Sequence, residues 1–479
     1  MQKIHNFYYF TYIFLLILSL IGCQQVQSSN QLSNQTLPPL PQDELIKVYF
    51  NNSQTSSYQE NYRQKTRLGD DLEKQIIDTI STAKSTIDIA VQELRLPKIA
   101  QTLAKKQQEG VKIRLILENN YSRPWSSLTP QEIAKLQTRE QEKYQEFIKF
   151  ADINQDGKLT NNEINEKDAI AIIKNAQIPW IDDTEDGSKG SSLMHHKFTI
   201  VDNQFVIITS ANFTFSDTSG DISNNQSLGN ANNLLKIDSP ELAKLFTQEF
   251  NIMWGDGVGK QKDSKFGLQK PIREPQKITL GNSQITVNFS PISPTQTWEK
   301  SSNGLIGKTL NTATKNIDIA LFIFSEQKLA NILEKKHDQK VDIKALIEPQ
   351  FAYRDYSDIL DMMGLALSNK CQYQIDNKPW KNPLTTVGVP ILPQGDLLHH
   401  KFAVIDNKTV ITGSHNWSAA GNNNNDETLI IIENPVIAAH YQQEFNRLYQ
   451  KARIGLPARI KSKIDAEEKS CPQIKKVIS

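Results

Sequence analysis

LMHHKFTIVD, Leu193–Asp202, returns almost letter for letter as LLHHKFAVID, Leu397–Asp406. Each copy fixes a His, a Lys and an Asp at H-x-K-x-x-x-x-D: His195, Lys197 and Asp202, then His399, Lys401 and Asp406. The apolar, β-branched letters predict a buried strand, and Asp202-Asn203 and Asp406-Asn407 predict the turn into a return strand. Residues two apart on a strand share a face, so His195 and Lys197 project together, as do His399 and Lys401. His196 and His400 point the other way and read as packing or supporting histidines.

Working outward, the repetition continues. TAKSTIDIAV (Thr82–Val91) answers TATKNIDIAL (Thr312–Leu321), and VKIRLILE (Val111–Glu118) answers VDIKALIE (Val341–Glu348), both at an offset of 230. The His motifs are 204 apart and the two EFN tripeptides, Glu249–Asn251 and Glu444–Asn446, are 195 apart. The chain is therefore two homologous halves, the first carrying 26 extra residues before its His motif and nine more after it. In each half, helical patterns near 72–82 and 99–108, or 305–312 and 329–336, alternate with short apolar runs. That alternation predicts layered α/β domains with largely buried strands.

A second polar signature follows each motif. TSAN places Ser210 and Asn212, and GSHN places Ser414 and Asn416. The combined pattern, H-x-K-x4-D-x6-G-S-x-N twice, resembles that of the phospholipase D superfamily, with Thr209 the one departure from it. The resemblance spans nearly the whole mature chain. It implies two α/β/α domains related by a pseudo-twofold axis, and one active site made by both halves of a monomer.

It also implies a mechanism. One imidazole attacks phosphorus and becomes a phosphohistidine, while the other protonates the leaving alcohol and then activates water. Lys197 and Lys401 would neutralise the developing charge, and Ser210, Asn212, Ser414 and Asn416 would bind the phosphate oxygens. Asp202 and Asp406 would tie the motif together rather than react. No metal is implied for the chemistry. The resemblance further implies a carboxylate beside a reacting His. Glu427 fits in the second half and Asn232 stands in its place in the first, which pairs Glu427 with His399 and Asn232 with His195. A carboxylate favours an imidazolium, so His399 is expected to be the proton donor and His195 the nucleophile.

The extra residues of the first half contain DINQDGKLTNNE, Asp152–Glu163. Asp152, Asn154, Asp156, Lys158 (through its carbonyl), Thr160 and Glu163 occupy the ligand positions of an EF-hand loop, with Gly157 at its sixth position. One structural calcium ion is expected, in a helical insertion spanning about 128–175.

The N-terminus sets the compartment. Lys3 and His5 precede an apolar run, Phe7–Gly22, too short to span a bilayer. It ends in LIGC, which resembles a lipobox, so residues 1–22 are expected to be a signal peptide and Cys23 the lipidated residue. A flexible tether over 23–45 follows. The remaining boundaries are an N-terminal domain over 46–265, a linker over 266–283, a C-terminal domain over 284–455 and a solvated tail over 456–479. Cys371 and Cys471 can pair outside the cytoplasm or remain thiols; the sequence does not bring them together. Lys plus Arg number 54 and Asp plus Glu 53, a balance that argues against gripping nucleic acid over the whole surface. The expectation is a lipid-anchored, extracytoplasmic phosphodiesterase acting on phospholipid headgroups. A nuclease of the same mechanism and a silent, calcium-stabilised surface binding protein are the alternatives.

Overall fold

A computed structural model describes residues 36–188, 192–259 and 261–471. The signal-peptide and Cys23 readings lie outside the described residues. Among the described residues no helix is long and apolar enough to cross a membrane.

The chain from Leu37 onward forms one compact unit built on two large mixed sheets. The first has seven strands in the order Ile46–Phe50, Asn233–Asp238, Phe205–Thr209, Lys197–Val201, Thr86–Val91, Lys112–Leu117, Trp180–Asp182. The second has nine: Gln276–Leu280, Ser283–Ser290, Glu427–Glu433, Thr409–Gly413, Lys401–Ile405, Asn316–Leu321, Asp342–Ile347, Val387–Val389, Arg453–Ile454. All seven strands of the first sheet have a counterpart in the second, in the same order and direction, which is the repeat made visible. In both halves the His-motif strand lies at the sheet's centre. It runs antiparallel to the IDIA strand, pairing Lys197 with Val91 and Lys401 with Leu321.

Local chemistry fixes these elements. Helix Leu72–Ser81 is capped by the Asp71 carboxylate, which accepts from Lys74 N, and buries Leu72, Ile76 and Ile80 along one stripe. The hairpin after each His motif turns through two residues of positive φ, Asp202 (53°) and Asn203 (52°), then Asp406 (52°) and Asn407 (53°), the conformation that Asp and Asn tolerate best among side-chain-bearing residues. The Asp carboxylates close the turn onto the loop before the neighbouring strand. Asp202 accepts from the backbone N–H groups of Lys84, Ser85 and Thr86, and Asp406 from those of Thr314, Lys315 and Asn316. Both aspartates therefore sit at the far end of the strand from the histidines and hold the fold.

One core joins the halves. Phe198 and Phe246 from the first share a buried cluster with Phe402 and Tyr441 from the second. Three segments differ from their sequence reading. Residues 37–45, read as part of a flexible tether, are fixed to the body: Gln42 Nε2 donates to Val48 O, and Asn434 Nδ2 donates to Asp43 Oδ2. Residues Gln276–Leu280, read as linker, are the edge strand of the second sheet, because Ile278 alternates inward against Ile285. The tail forms helix Ala458–Ser470, whose Ile460 is buried in the second half's core. Cys371 and Cys471 form a disulfide with a Cα–Cα distance of 5.5 Å, which fastens that helix.

In the insertion, helix Thr138–Ala151 leads into the Asp152–Glu163 loop and helix Asn161–Lys167 leaves it. Trp125 packs edge-on against Phe147, and Glu146 accepts from Ser223 N, docking the insertion onto the first half.

Candidate active site

The strand-leading segments cross over: Met194 bridges Asp426 and Ala231 bridges Leu398, both in parallel register. His195 N donates to Asp426 O at 2.9 Å, and His399 N donates to Ala231 O at 3.1 Å. Each histidine is thus held by the backbone of the opposite repeat.

The side chains cross in the same way, which corrects the pairing read from sequence. His195 Nδ1 lies 2.7 Å from Glu427 Oε2, and His399 Nδ1 lies 3.0 Å from Asn232 Oδ1. A residue aligned with a histidine in its own half serves the histidine of the other, because the twofold axis passes between them. Asn232 Nδ2 donates to the Asp217 carbonyl and the Asn230 carbonyl, which fixes its oxygen toward His399. Asp217 Oδ1 itself stands 3.8 Å from His399 Nδ1, so a carboxylate backs this histidine too, one step removed.

The serines are also reassigned. Ser210 Oγ donates to Asn232 Oδ1 at 2.7 Å, and Ser414 Oγ donates to Glu427 Oε2 at 2.7 Å. Each also accepts a backbone N–H, from Asn233 and Thr428. A hydroxyl has one proton, and here it secures the residue that orients a histidine. Both serines are fully buried, with their single protons committed to Asn232 and Glu427. The side-chain oxygen of Asn212 and of Asn416 is buried without a hydrogen-bond partner among the described residues, and any contact of these residues with a phosphate oxygen falls to their amide N–H groups.

Lys197 Nζ donates to Gln92 Oε1 (3.1 Å) and to His195 O (3.0 Å), and Lys401 Nζ donates to His399 O at 2.7 Å while lying over the Phe322 ring. Among the described residues no carboxylate pairs directly with either ammonium. Burial is the main cause that pulls Lys197 down to about 8 and Lys401 well below its ordinary value. Burial, and then the two lysines, push both His195 and His399 well below the usual imidazole range. In the resting site, burial beside two ammonium groups opposes the charged form of both rings, against the pull of a neighbouring carboxylate. Burial also raises Glu427 above the usual carboxylate range.

The off-face histidines are structural. His196 bonds Thr428 and Glu249, and His400 bonds Asn233 and Glu444. The repeated EFN tripeptides were the signal for this, since Glu249 and Glu444 are their first residues. Trp417 is core, and Asp183 accepts from Asn119 N. Gln92, Asp217 and Phe322 went unread, because none of them has a like residue at its repeat position.

In the Asp152–Glu163 loop the oxygens are turned onto backbone amides. Asp152 accepts from Asp156 N and Gly157 N, and Glu163 accepts from Ile153, Asn154 and Thr160 N. Among the described residues no group of three or more His, Cys, Asp or Glu side chains is gathered for a metal. The donor set is all oxygen, and Gly157 holds the positive φ (81°) that the sharp turn needs.

Fold and site together define a two-repeat enzyme scaffold that brings one His-Lys pair from each repeat to a shared centre. The family model described as "Cardiolipin synthase, PLD-like domain" matches residues 76–254 and 306–449, and the chain belongs to that branch of the phospholipase D superfamily. Among curated relatives it is similar to "Mitochondrial cardiolipin hydrolase" of Xenopus laevis, 26% identical over 189 residues, covering 38% of this chain and 79% of that one. The human protein of the same description is 26% identical over 144 residues, covering 30% of this chain and 49% of that one. The fold matches the crystal structure of phosphatidylserine synthase from Haemophilus influenzae with a TM-score of 0.50 and 12% identity, over 92% of this chain and 97% of that one.

Proposed function

We propose that the protein is a phosphodiesterase that hydrolyses, or exchanges, phospholipid headgroups through a phosphohistidine. The observation that carries this reading is the crossed pair of histidines set between two buried lysines. His195 Nδ1, hydrogen-bonded to Glu427, leaves Nε2 as the lone-pair nitrogen. The carboxylate then stabilises the positive ring that forms when Nε2 attacks phosphorus, as in other carboxylate–imidazole pairs. His195 is therefore assigned as nucleophile, on a different ground from the sequence argument.

Entry of a phosphate anion between Lys197 and Lys401 opposes the field that keeps His399 neutral. His399 then takes up a proton on Nε2, supported by Asn232 and Asp217, and delivers it to the leaving alcohol. The deprotonated His399 next activates water, or an acceptor alcohol, against the phosphohistidine. Lys197, Lys401, Asn212 and Asn416 hold the non-bridging oxygens. One chain supplies both halves, so a monomer suffices.

The cardiolipin hydrolase relatives and the family match support a phospholipid as substrate. The reading extends to an extracytoplasmic protein tethered by lipid at Cys23, which the Cys371–Cys471 disulfide supports, since disulfides persist in oxidising compartments. It extends also to one structural calcium ion held by Asp152, Asn154, Asp156 and Glu163 with the Lys158 carbonyl and Thr160. Such an ion would cross-link the two insertion helices. A panel of radiolabelled phospholipids and single-stranded DNA, offered to the purified protein, tests the reading. Release of headgroup is expected; cleavage of DNA alone, or of nothing, overturns it.

A further inference from the structure

Lys270 belongs to the segment read from sequence as linker, yet it is a buried cation at the twofold interface. Its Nζ lies 2.6 Å from Glu249 Oε1, 2.6 Å from Asp426 Oδ1 and 2.8 Å from Ser290 O. Glu249 also receives His196 Nε2 and the Arg273 guanidinium, and Asp426 accepts from Gly267 N. Two carboxylates and two cations from three segments thus close on one another. Asp426 is the residue whose carbonyl holds His195 N–H, and its neighbour Glu427 holds the His195 ring.

The repeat supplies its own control. The counterpart of Asp426 at the offset of 195 is Ala231, and that of Glu249 is Glu444. Glu444 is neutralised by Arg447 of its own helix, at 2.6 and 2.7 Å. Among the described residues, the His399 side therefore has no cation reaching from the connecting segment to the backbone that carries the histidine, whereas the His195 side has Lys270.

We propose that Lys270 is a positioning residue for His195: by pairing with Glu249 and Asp426 together, it fixes the Asp426–Glu427 backbone against the strand leading to His195. The inference rests on the proposed phosphohistidine chemistry. Displacing a reacting group by a fraction of an ångström to an ångström slows its step by one to two orders of magnitude. The device therefore acts on the attack step and leaves substrate affinity alone.

The test uses a phosphodiester with an acidic phenol as leaving group, in single turnover. Lys270→Met is expected to slow the phenol burst roughly tenfold or more with substrate affinity unchanged, and Lys270→Arg to restore most of it. Because a lone buried carboxylate can prevent folding, Lys270→Met/Asp426→Asn serves as the second variant. It keeps the interface neutral, and it is expected to fold and still burst slowly. Hydrogen exchange gives a readout that does not depend on activity: the backbone around 193–197 exchanges faster in that variant, and the matching 397–401 segment does not. A full-rate burst in either variant, or equal exchange at both segments, overturns the assignment. A His399→Ala protein that releases phenol without retaining phosphate on His195 overturns the phosphohistidine reading instead, while the exchange comparison still judges Lys270.

Discussion

Glu427 of the second repeat hydrogen-bonds Nδ1 of His195 in the first, at 2.7 Å, and is itself held by Ser414 Oγ at 2.7 Å. The charge of this carboxylate matters only while the attacking ring carries a positive charge. Glu427→Gln keeps the shape and loses the charge, so kcat is expected to fall by roughly a hundredfold or more with KM little changed. Asn232→Asp is expected to be milder, because Asp217 already stands 3.8 Å from His399. Steady-state kinetics on both variants checks the order; a larger loss in Asn232→Asp contradicts the assignment of His195 as nucleophile.

The two histidines separate in a burst experiment. A phenol leaving group of low pKa departs without a proton. His399→Ala is therefore expected to release about one phenol per enzyme and then stall as a phosphohistidine. His195→Ala is expected to give no burst. The opposite pattern exchanges the two roles.

Lys197 sets a pH limit. It titrates at about 8, against 10.5 for an unperturbed lysine. Above about 8 it is neutral and cannot hold a phosphate oxygen, so kcat/KM is expected to decline through that range, and the decline to move to higher pH in Lys197→Arg. The stability sign follows from linkage. Between 8 and 10.5 the unfolded chain keeps a proton that the folded chain has lost, so the lysine's burial penalty disappears as pH rises. Wild-type stability relative to Lys197→Met is expected to increase across that window, read as the difference in Tm between the two proteins.

For the Asp152–Glu163 loop, millimolar calcium is expected to raise Tm by mass action, and Glu163→Gln to remove the response. Chelator is expected to lower Tm in the calcium-loaded protein while leaving the phenol burst intact, because no step of the proposed chemistry uses the ion. Identical melting in chelator and calcium counts against the site.

The Cys371–Cys471 bridge closes a loop over a sequence separation of 100. Loop-closure entropy sets an upper value of about 4.7 kcal/mol for such a loop. Cys471→Ser is expected to lower Tm and to free the helix Ala458–Ser470 for proteolysis. The burst should survive, since the reacting groups lie on the two central strands.

The repeat made much of the site readable. His195, Lys197, His399 and Lys401 follow from the two ten-residue copies, their shared face follows from strand geometry, and the Asp-Asn turns occur where their chemistry puts them. What pairing within one half could not reveal is the crossing. Glu427 aligns with Asn232, yet each serves the histidine of the opposite repeat, and that depends on where the twofold axis falls in space. The serines misled because Ser-x-Asn on one face suggests two donors to one ligand, whereas Ser210 and Ser414 are committed to Asn232 and Glu427. Lys270 was hidden by its setting: a lysine beside prolines reads as linker, and only the approach of Glu249 and Asp426 from distant segments gives it a role. Asp217 has Gly421 at the matching position, so repetition gave no clue to it.

The crossed bridges Met194–Asp426 and Ala231–Leu398 bear on how the two copies can drift apart. In a duplicated enzyme with self-contained sites, one copy is free to decay while the other works. Here each copy owns half of its sibling's machinery, so decay in either one disables both. The repeats are mutual hostages, free to diverge in loops, insertions and tails but bound to change in step wherever one strand's carbonyl or carboxylate meets the other's imidazole.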